Sequence, residues 1–308
     1  MRHSTSSSPL TLLAGAVALL TLAACGGGGT ETAQPAGSAS SKAERSVVVD
    51  QKLAKQVPSA ISSDGKITVG TDATYAPNEF LAPDGQTVVG FDVDLFRAVA
   101  AKLGLRTTFV PAPFSAIIPG VSSGKYEIGV SSFSINADRE KQTDMISYFN
   151  AGTQWAAPTG NPDGIDPDNA CGKKIAVQRG TVQADDVTSR SKDCTDNGDP
   201  AIQVDQYQGQ DQATSAVVSG KDQAMLADSP VIAYAISQTG GRLEKVGELY
   251  DAALYGYVVK KGDTAFSDAL AGAVNALIAD GTYQRILGRW KVDDGAVAKA
   301  QVDPPAAE

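Results

Sequence analysis

Two successive runs of alternating strand-like and helix-like segments, each about 90 to 100 residues long, constrain this chain more than anything else in it. The first opens on Lys66-Ile67-Thr68-Val69-Gly70, a short β-rich run. Phe96, Val99, Ala100 and Leu103 then recur at helical spacing, and Gly104 supplies the stop. Thr107 to Val110 reads as a strand. Phe114, Ile117, Ile118 and Val121 form one face of a helix ending at Gly124, and Tyr126 to Val130 is a further strand. The second run follows a Pro-, Gly- and Asp-rich loop from Pro158 to Cys171. It reads as strand Lys173 to Gln178, a helix opened by Gly180-Thr181, strand Ile202 to Val204, and a helix through Ala213, Ala216 and Val217 closed by Gly220. Strand Ala224 to Asp228 follows, then a helix with Ser229 as N-cap and Pro230 in its first turn, ending at Gly240-Gly241. A β-α-β-α-β order predicts a mainly parallel sheet with helices on its faces, and ligands at the carboxyl ends of the strands.

Doubling that order predicts an α/β protein of two lobes. The remainder settles the expected connectivity. Ala253 to Val259 reads as a strand, and Phe266, Leu270, Val274, Leu277 and Ile278 as a long amphipathic helix. Asp280-Gly281 breaks it before a short helix through Tyr283, Ile286, Leu287 and Trp290. With too few strands for a third domain, this piece is expected to return to the first lobe. Lobe 1 is therefore expected at 65–155 and 257–292 and lobe 2 at 156–256, with a two-strand hinge suited to closure around a ligand. Residues 293–308, without periodicity, are expected to be a disordered tail.

Ahead of the folded region, Met1-Arg2-His3 is a short basic start, and Leu10 to Leu22 is apolar. That run is shorter than the roughly 20 residues of a membrane span and reads as a secretory signal over residues 1–24. It ends in Leu22-Ala23-Ala24-Cys25-Gly26, which resembles the bacterial lipobox, in which the cysteine is lipidated. Acyl chains on Cys25 would hold the protein on the outer face of the cytoplasmic membrane without a spanning helix. Residues 25–64 open on Gly, Ser, Thr, Ala, Pro and Glu and are expected to be a flexible tether, with a short segment from Val47 to Pro58 that docks on the main body. Removing residues 1–24 takes away Arg2 and no acid, so 26 basic residues become 25 against 35 acidic, a net of −10. Nothing in that balance favours nucleic acid. The only histidine, His3, leaves with the signal, which excludes a histidine base, ligand or triad and makes a metal centre an unfavoured expectation. No cofactor is expected. Cys171 and Cys194 remain in an exported chain, which suggests one disulfide.

The candidate site is Ser131-Ser132-Phe133-Ser134-Ile135-Asn136-Ala137-Asp138-Arg139, just past a strand end. Three hydroxyls and a guanidinium there can bind a small carboxylate, because the planar fork of arginine meets both oxygens at once. A polar surface loop whose arginine pairs with a neighbouring acid is the alternative.

From Lys66 to Trp290 the chain resembles family 3 of the extracellular solute-binding proteins, the polar amino-acid-binding components of bacterial ABC importers. The resemblance rests on Lys66 to Pro77, on Gly90-Phe91-Asp92-Val93-Asp94-Leu95 through Leu103, and on Ser132 to Arg139. In the second half it rests on Gln178-Arg179-Gly180-Thr181-Val182 and Leu226-Ala227-Asp228. It implies the two-lobed periplasmic-binding-protein fold. It further implies that Arg139 takes an α-carboxylate with help from Ser132 and Ser134, while Thr181 and Val182 offer N–H groups at a helix N-terminus. Asp228 would accept the α-ammonium, Tyr75 and Phe114 would flank the ligand side chain, and Asp72 would meet its polar tip, with Ser131 as a further discriminating position. Asp92 and Asp94 open a helix and are expected to stabilise its first turn rather than touch ligand. Asn78 stands where an aromatic is common, so a different pocket rim is expected; Asn136 replaces a usual threonine, and the cysteine pair is not general to the family.

The expectation is thus a monomeric, lipid-anchored substrate-binding protein that delivers a polar L-amino acid, with a lean to a basic one, to ABC permease transmembrane subunits. The alternative is an enzyme on the same fold, such as a cyclohexadienyl dehydratase. A sensor module for a kinase is a third reading.

Overall fold

In the computed structural model, residues 47–306 are described. The expected signal, Cys25 and the first part of the expected tether lie outside them. Two short helices come first, α1 (Gln51–Ala54) and α2 (Ser59–Ser62). They are docked rather than free, so within the expected tether the docked segment extends past Pro58 to Ser62. Asp50 caps α1 through its carboxylate and donates its backbone N–H to Lys102 O at 2.8 Å. Val57 and Ile61 are buried.

Strands β1 (Lys66–Thr71), β2 (Thr74–Tyr75), β3 (Glu79–Leu81) and β4 (Val88–Val89) lead into helix α3 (Phe91–Lys102). Strand β5 (Arg106–Pro111), helix α4 (Phe114–Ser122), strand β6 (Ile128–Ser134) and the single turn α5 (Ala137–Glu140) follow. The long strand β7 (Thr143–Pro158) is next. Beyond it come β8 (Lys174–Gln178), α6 (Val182–Asp196), β9 (Gln203–Tyr207), α7 (Gln210–Val218), β10 (Ala224–Asp228) and α8 (Ser229–Gln238). A second long strand, β11 (Leu243–Lys260), precedes helices α9 (Thr264–Ala279) and α10 (Thr282–Trp290).

Eight strands form one sheet in the order β5-β1-β6-β11-β7-β10-β8-β9, and β2-β3-β4 form a small second one. At either end the pairing is parallel, β1 with β5 and β6, and β8 with β9 and β10. The antiparallel pair β7 and β11 joins the two halves, so the expected separate sheets are fused through their hinge strands. Hydrophobic side chains divide accordingly. One cluster gathers Ile67, Val69 and Phe96 with Phe266, Leu270, Val274 and Leu287, so α9 and α10 pack with the first half. Separate clusters around Trp155, Ile175, Val187 and Leu226, and around Ala213, Met225 and Ile232, fill the second half.

Residues 293–306 are bound, not disordered, a correction with a simple cause. Ala300 is buried, its N–H donates to Asn275 Oδ1 at 2.8 Å, and Asp303 N donates to Met145 O at 2.8 Å. A tail without periodicity can still lie along a sheet edge, because its backbone groups, helped here by the Asp303 carboxylate and the Asn275 amide, supply the bonds. Cys171 and Cys194 form a disulfide with Cα atoms 5.7 Å apart.

Candidate ligand-binding cleft

The parallel strands β6 and β10 end beside the middle of β7 and β11, where Tyr255 lies opposite Ser134 and Asp228 opposite Thr153. A narrow cavity opens there. Its wall contains all ten side chains singled out in the sequence: Asp72, Tyr75, Phe114, Ser131, Ser132, Ser134, Arg139, Thr181, Val182 and Asp228. Gln178 and Gln183 complete it and were not foreseen. A glutamine at a strand end or in a first helical turn carries no pattern of its own. Its adjacency to Gly180-Thr181 was the available signal.

Arg139 stands in α5, which Asn136 caps by accepting the Arg139 N–H at 2.9 Å. The guanidinium is 9% exposed, donates to Ser134 O at 2.8 Å and Gly180 O at 3.2 Å, and lies over the rings of Phe114 and Phe133 at 5.3 and 5.6 Å. Burial lowers its pKa to about 10, so it is cationic at neutral pH. Phe114 therefore stacks on Phe133 beneath the guanidinium, with ring centroids 4.6 Å apart, as well as facing the cavity.

Asp228 ends β10 and immediately precedes α8. It is the N-cap residue in place of Ser229, yet its side chain makes no cap bond. Instead its carboxylate accepts from Tyr75 Oη at 2.9 Å, Tyr255 Oη at 2.8 Å and Gln183 Nε2 at 2.8 Å. Burial raises its pKa, and these donors oppose the rise. Thr181 caps α6, accepting from Ala184 N at 3.2 Å, and its neighbour Val182 begins the helix at the cavity wall. Thr181 and Val182 thus put a helix N-terminus, with its partial positive charge, at the cavity.

Asp72 follows β1 and is 3% exposed. One oxygen accepts from Thr74 N at 3.1 Å and Thr74 Oγ1 at 2.6 Å; the other accepts from Phe114 N at 2.8 Å and Gln178 Nε2 at 2.9 Å. Its four lone-pair directions are thus occupied by neutral donors. No cation neutralises it in these bonds, and burial raises its pKa.

Ser131 and Ser132 lie within β6 rather than beyond it, and their hydroxyls are engaged by neighbouring groups. Ser131 Oγ accepts from Asp72 N at 2.9 Å and donates to Glu79 Oε1 at 2.9 Å. Ser132, in the left-handed region at φ 52°, turns its N–H and hydroxyl toward Asp92 Oδ2, both at 3.1 Å. Asp92 is fully buried and bonds across to β6 and Tyr148, not only within its own first turn. Asn78 is no rim residue either. It is buried and donates to Ser132 Oγ at 2.8 Å. Asp94, in the first turn of α3, is absent from the cavity wall and meets Arg289 at 3.3 Å and Trp290 Nε1 at 2.9 Å. Among the described residues, no group of acid, cysteine or histidine side chains is arranged to hold a metal ion, and no helix is long and apolar enough to cross a membrane.

The sequence profile of the bacterial extracellular solute-binding proteins, family 3, matches residues 67–293. The chain is 38% identical over 253 residues to the arginine-binding protein ArgT of Corynebacterium glutamicum, covering 82% of this chain and 83% of that one. Among solved structures it is similar to an ancestral arginine-binding protein bound to arginine, with a TM-score of 0.69 and 32% identity over 73% of this chain and 98% of that one. It is also similar to an ancestral amino acid-binding protein that is a precursor of cyclohexadienyl dehydratase, with a TM-score of 0.65 and 31% identity over 75% and 97% of the two chains.

Proposed function

Because the chain belongs to the bacterial extracellular solute-binding proteins of family 3, we propose that it captures a basic L-amino acid, arginine foremost, and hands it to the permease of an ABC importer. One observation carries the choice of ligand: the cavity wall holds two carboxyls, Asp72 and Asp228, to one guanidinium, Arg139. A zwitterion would satisfy Arg139 with its carboxylate and Asp228 with its ammonium. Asp72 would then remain as a buried negative charge that only a cationic side chain offsets. Glutamate would add a second uncompensated charge instead. Names of similar proteins support the same reading, since both an arginine-binding relative and an arginine-bound structure are among them.

In this reading Arg139, with Ser134 beside it, binds the carboxylate bidentately. Thr181 and Val182 contribute helix N-terminal N–H groups, and Tyr75 and Phe114 flank the side chain. Asp72 is freed for the ligand when the cation takes the place of Gln178. Ser131 and Ser132 shape the wall. Titration calorimetry against L-arginine, L-lysine, L-histidine, L-glutamine and L-glutamate tests this. Arginine should bind best and glutamate worst, and Arg139→Ala should cost about 2–5 kcal/mol of arginine affinity, the expected penalty for stripping one partner from a buried charge pair. Near wild-type affinity in that variant would sink the assignment. The family's members are binding proteins, and catalysis is no part of the proposal; turnover of prephenate or arogenate would contradict it, for prephenate has no amine to satisfy Asp228.

The protein is further proposed to act as a monomer on the outer face of the cytoplasmic membrane, held by acyl chains on Cys25. Labelling cells with a radioactive fatty acid checks the anchor. Cys25→Ser should abolish incorporation, and unchanged labelling would refute it.

A further inference from the structure

Behind the cavity, Glu79 of β3 and Asp92 of α3 are both fully buried, and the hydroxyl of Ser132 lies between their carboxyls, within hydrogen-bond reach of both. Gly90 makes that approach possible. At φ 143°, it lies where a Cβ would fall 1.9 Å from Asn78 O, so β3 and the start of α3 close on each other. The groups bonded to the pair are the hydroxyls of Ser131, Ser132 and Tyr148 and the Ser132 N–H, none of them cationic. Proton counting then leaves one answer. The Ser132 hydroxyl has a single hydrogen but stands 3.1 Å from Asp92 Oδ2 and 3.3 Å from Glu79 Oε2, and Asp92 Oδ1 is buried with no donor from any hydroxyl or amide. Two buried carboxyls that compete for one hydroxyl hydrogen, with no cation bonded to either, are both satisfied only when one of them carries a proton. Asp92 receives an amide, a serine and a phenol at one oxygen, all of which favour its ionised form, so the proton belongs to Glu79.

We infer that Glu79, as a neutral carboxylic acid paired with the Asp92 carboxylate, is a positioning residue for the ligand cleft. Two chains of bonds connect the pair to the cavity. Glu79 holds Ser131 Oγ, which accepts the Asp72 N–H and so fixes the backbone that presents the proposed cation-binding carboxylate. Asp92 holds Ser132 in its left-handed conformation at the cavity wall. That conformation costs a non-glycine residue free energy and persists only where its surroundings hold it. Loss of the shared proton would leave two adjacent buried negative charges, and the serines would follow the carboxyls apart.

Titratable groups face the pair from every side: Tyr148 on β7 and Tyr257 on β11 toward Asp92, and Tyr75 on β2 and Asp72 after β1 toward Glu79. Burial raises each phenol above its ordinary value. Burial and then the charge of Asp92 push Glu79 well above the usual carboxylate range. The sign of the pH effect separates positioning from plain electrostatics. An extra negative charge behind the cleft attracts a cationic ligand, whereas a displaced wall weakens it. Affinity should therefore fall as pH rises through the ionisation of Glu79.

This reading rests on the amino-acid-binding proposal only in its second test. First, the infrared difference spectrum at neutral pH between the intact protein and its Glu79→Gln variant, without ligand, should show a protonated-carboxyl carbonyl band lost in the variant; no such band overturns the inference. Second, L-arginine binding is followed by calorimetry from neutral to alkaline pH. The ratio of wild-type to Glu79→Gln affinity should fall with pH, since the ligand's own deprotonation cancels in it; a flat or rising ratio overturns the inference. Glu79→Ala should weaken binding at neutral pH by roughly tenfold, and the glutamine, which keeps the acid's shape and its donor, should restore most of that loss. Equal loss in both variants would likewise overturn it. If arginine binds to none of them but the infrared band is present, the ligand assignment has failed and the shared proton has not.

Discussion

Asp72 shows how little a residue's type reveals about its work. The family resemblance implies that it meets a polar tip, but in the folded chain four neutral donors already surround it, one of them Gln178 from the other side of the cleft. Neutral donors fix the geometry of such a carboxyl without supplying a countercharge, which suits it to discriminate by charge rather than by shape. Asp72→Asn removes the charge and keeps the outline. Arginine affinity should drop by about 1–3 kcal/mol, the scale of losing a hydrogen bond to a charged group, while glutamine affinity changes far less. Calorimetry on the two ligands reads the difference directly, and equal losses for both would mean that Asp72 only supports the wall. At this scale the sequence was informative where a side chain's chemistry stands alone. Arg139 and Asp228 are a guanidinium and a carboxylate in buried places, and each requires a partner. It was uninformative where meaning depends on a neighbour brought from afar. Asp92 read as a first-turn charge because its contacts to Ser132 and Tyr148 span 40 and 56 residues, and Glu79 gave no signal at all.

Among the elements, those with a period of their own were legible. Helix α3 was expected from Phe91 to Leu103 and runs from Phe91 to Lys102; α4, α9 and β10 are comparably close. Strand β7 was not anticipated. Fourteen of its sixteen residues are buried, on both faces, so polar residues such as Ser147, Thr153 and Gln154 stand where alternation would demand contrast. Their polarity is absorbed by specific bonds, Gln154 Nε2 to Val246 O at 3.0 Å and Ser147 Oγ to the tail at Gln301. Nor was the small sheet of β2, β3 and β4 visible, for strands of two and three residues are too short to show any period. Yet it carries Tyr75 and Glu79, the two side chains that tie this sheet to Asp228 and to the serines. The tail from Asp293 was expected to be disordered because backbone bonds, which leave no trace in composition, do much to fix its place.

For the molecule as a whole, β7 and β11 run unbroken through the junction of the two half-sheets, so the expected boundaries at 155–156 and 256–257 fall inside strands. A pair of continuous strands permits bending but little sliding. Bonds that cross the cleft at the cavity are Tyr75 to Asp228, Gln178 to Asp72, and Arg139 to the Gly180 carbonyl, while Gln210 N to Thr74 Oγ1 and the Phe80–Tyr234 ring pair join the halves beside it. The first three use groups assigned above to ligand or to the cleft wall, so there ligand and direct contact between the halves compete for the same atoms, and ligand favours the closed arrangement only through what it binds on both sides at once. Compaction and stabilisation should therefore appear together. At 100 times its dissociation constant, L-arginine should raise the unfolding free energy by roughly 2.7 kcal/mol, read as a shift of the thermal midpoint, and small-angle scattering should record a smaller radius of gyration in the same solution. In Arg139→Ala both responses should vanish, because carboxylate capture on the first side is lost while ammonium capture by Asp228 on the second remains. Stabilisation without compaction would mean that the two halves do not move, and that β7 and β11 form a rigid bridge rather than a hinge.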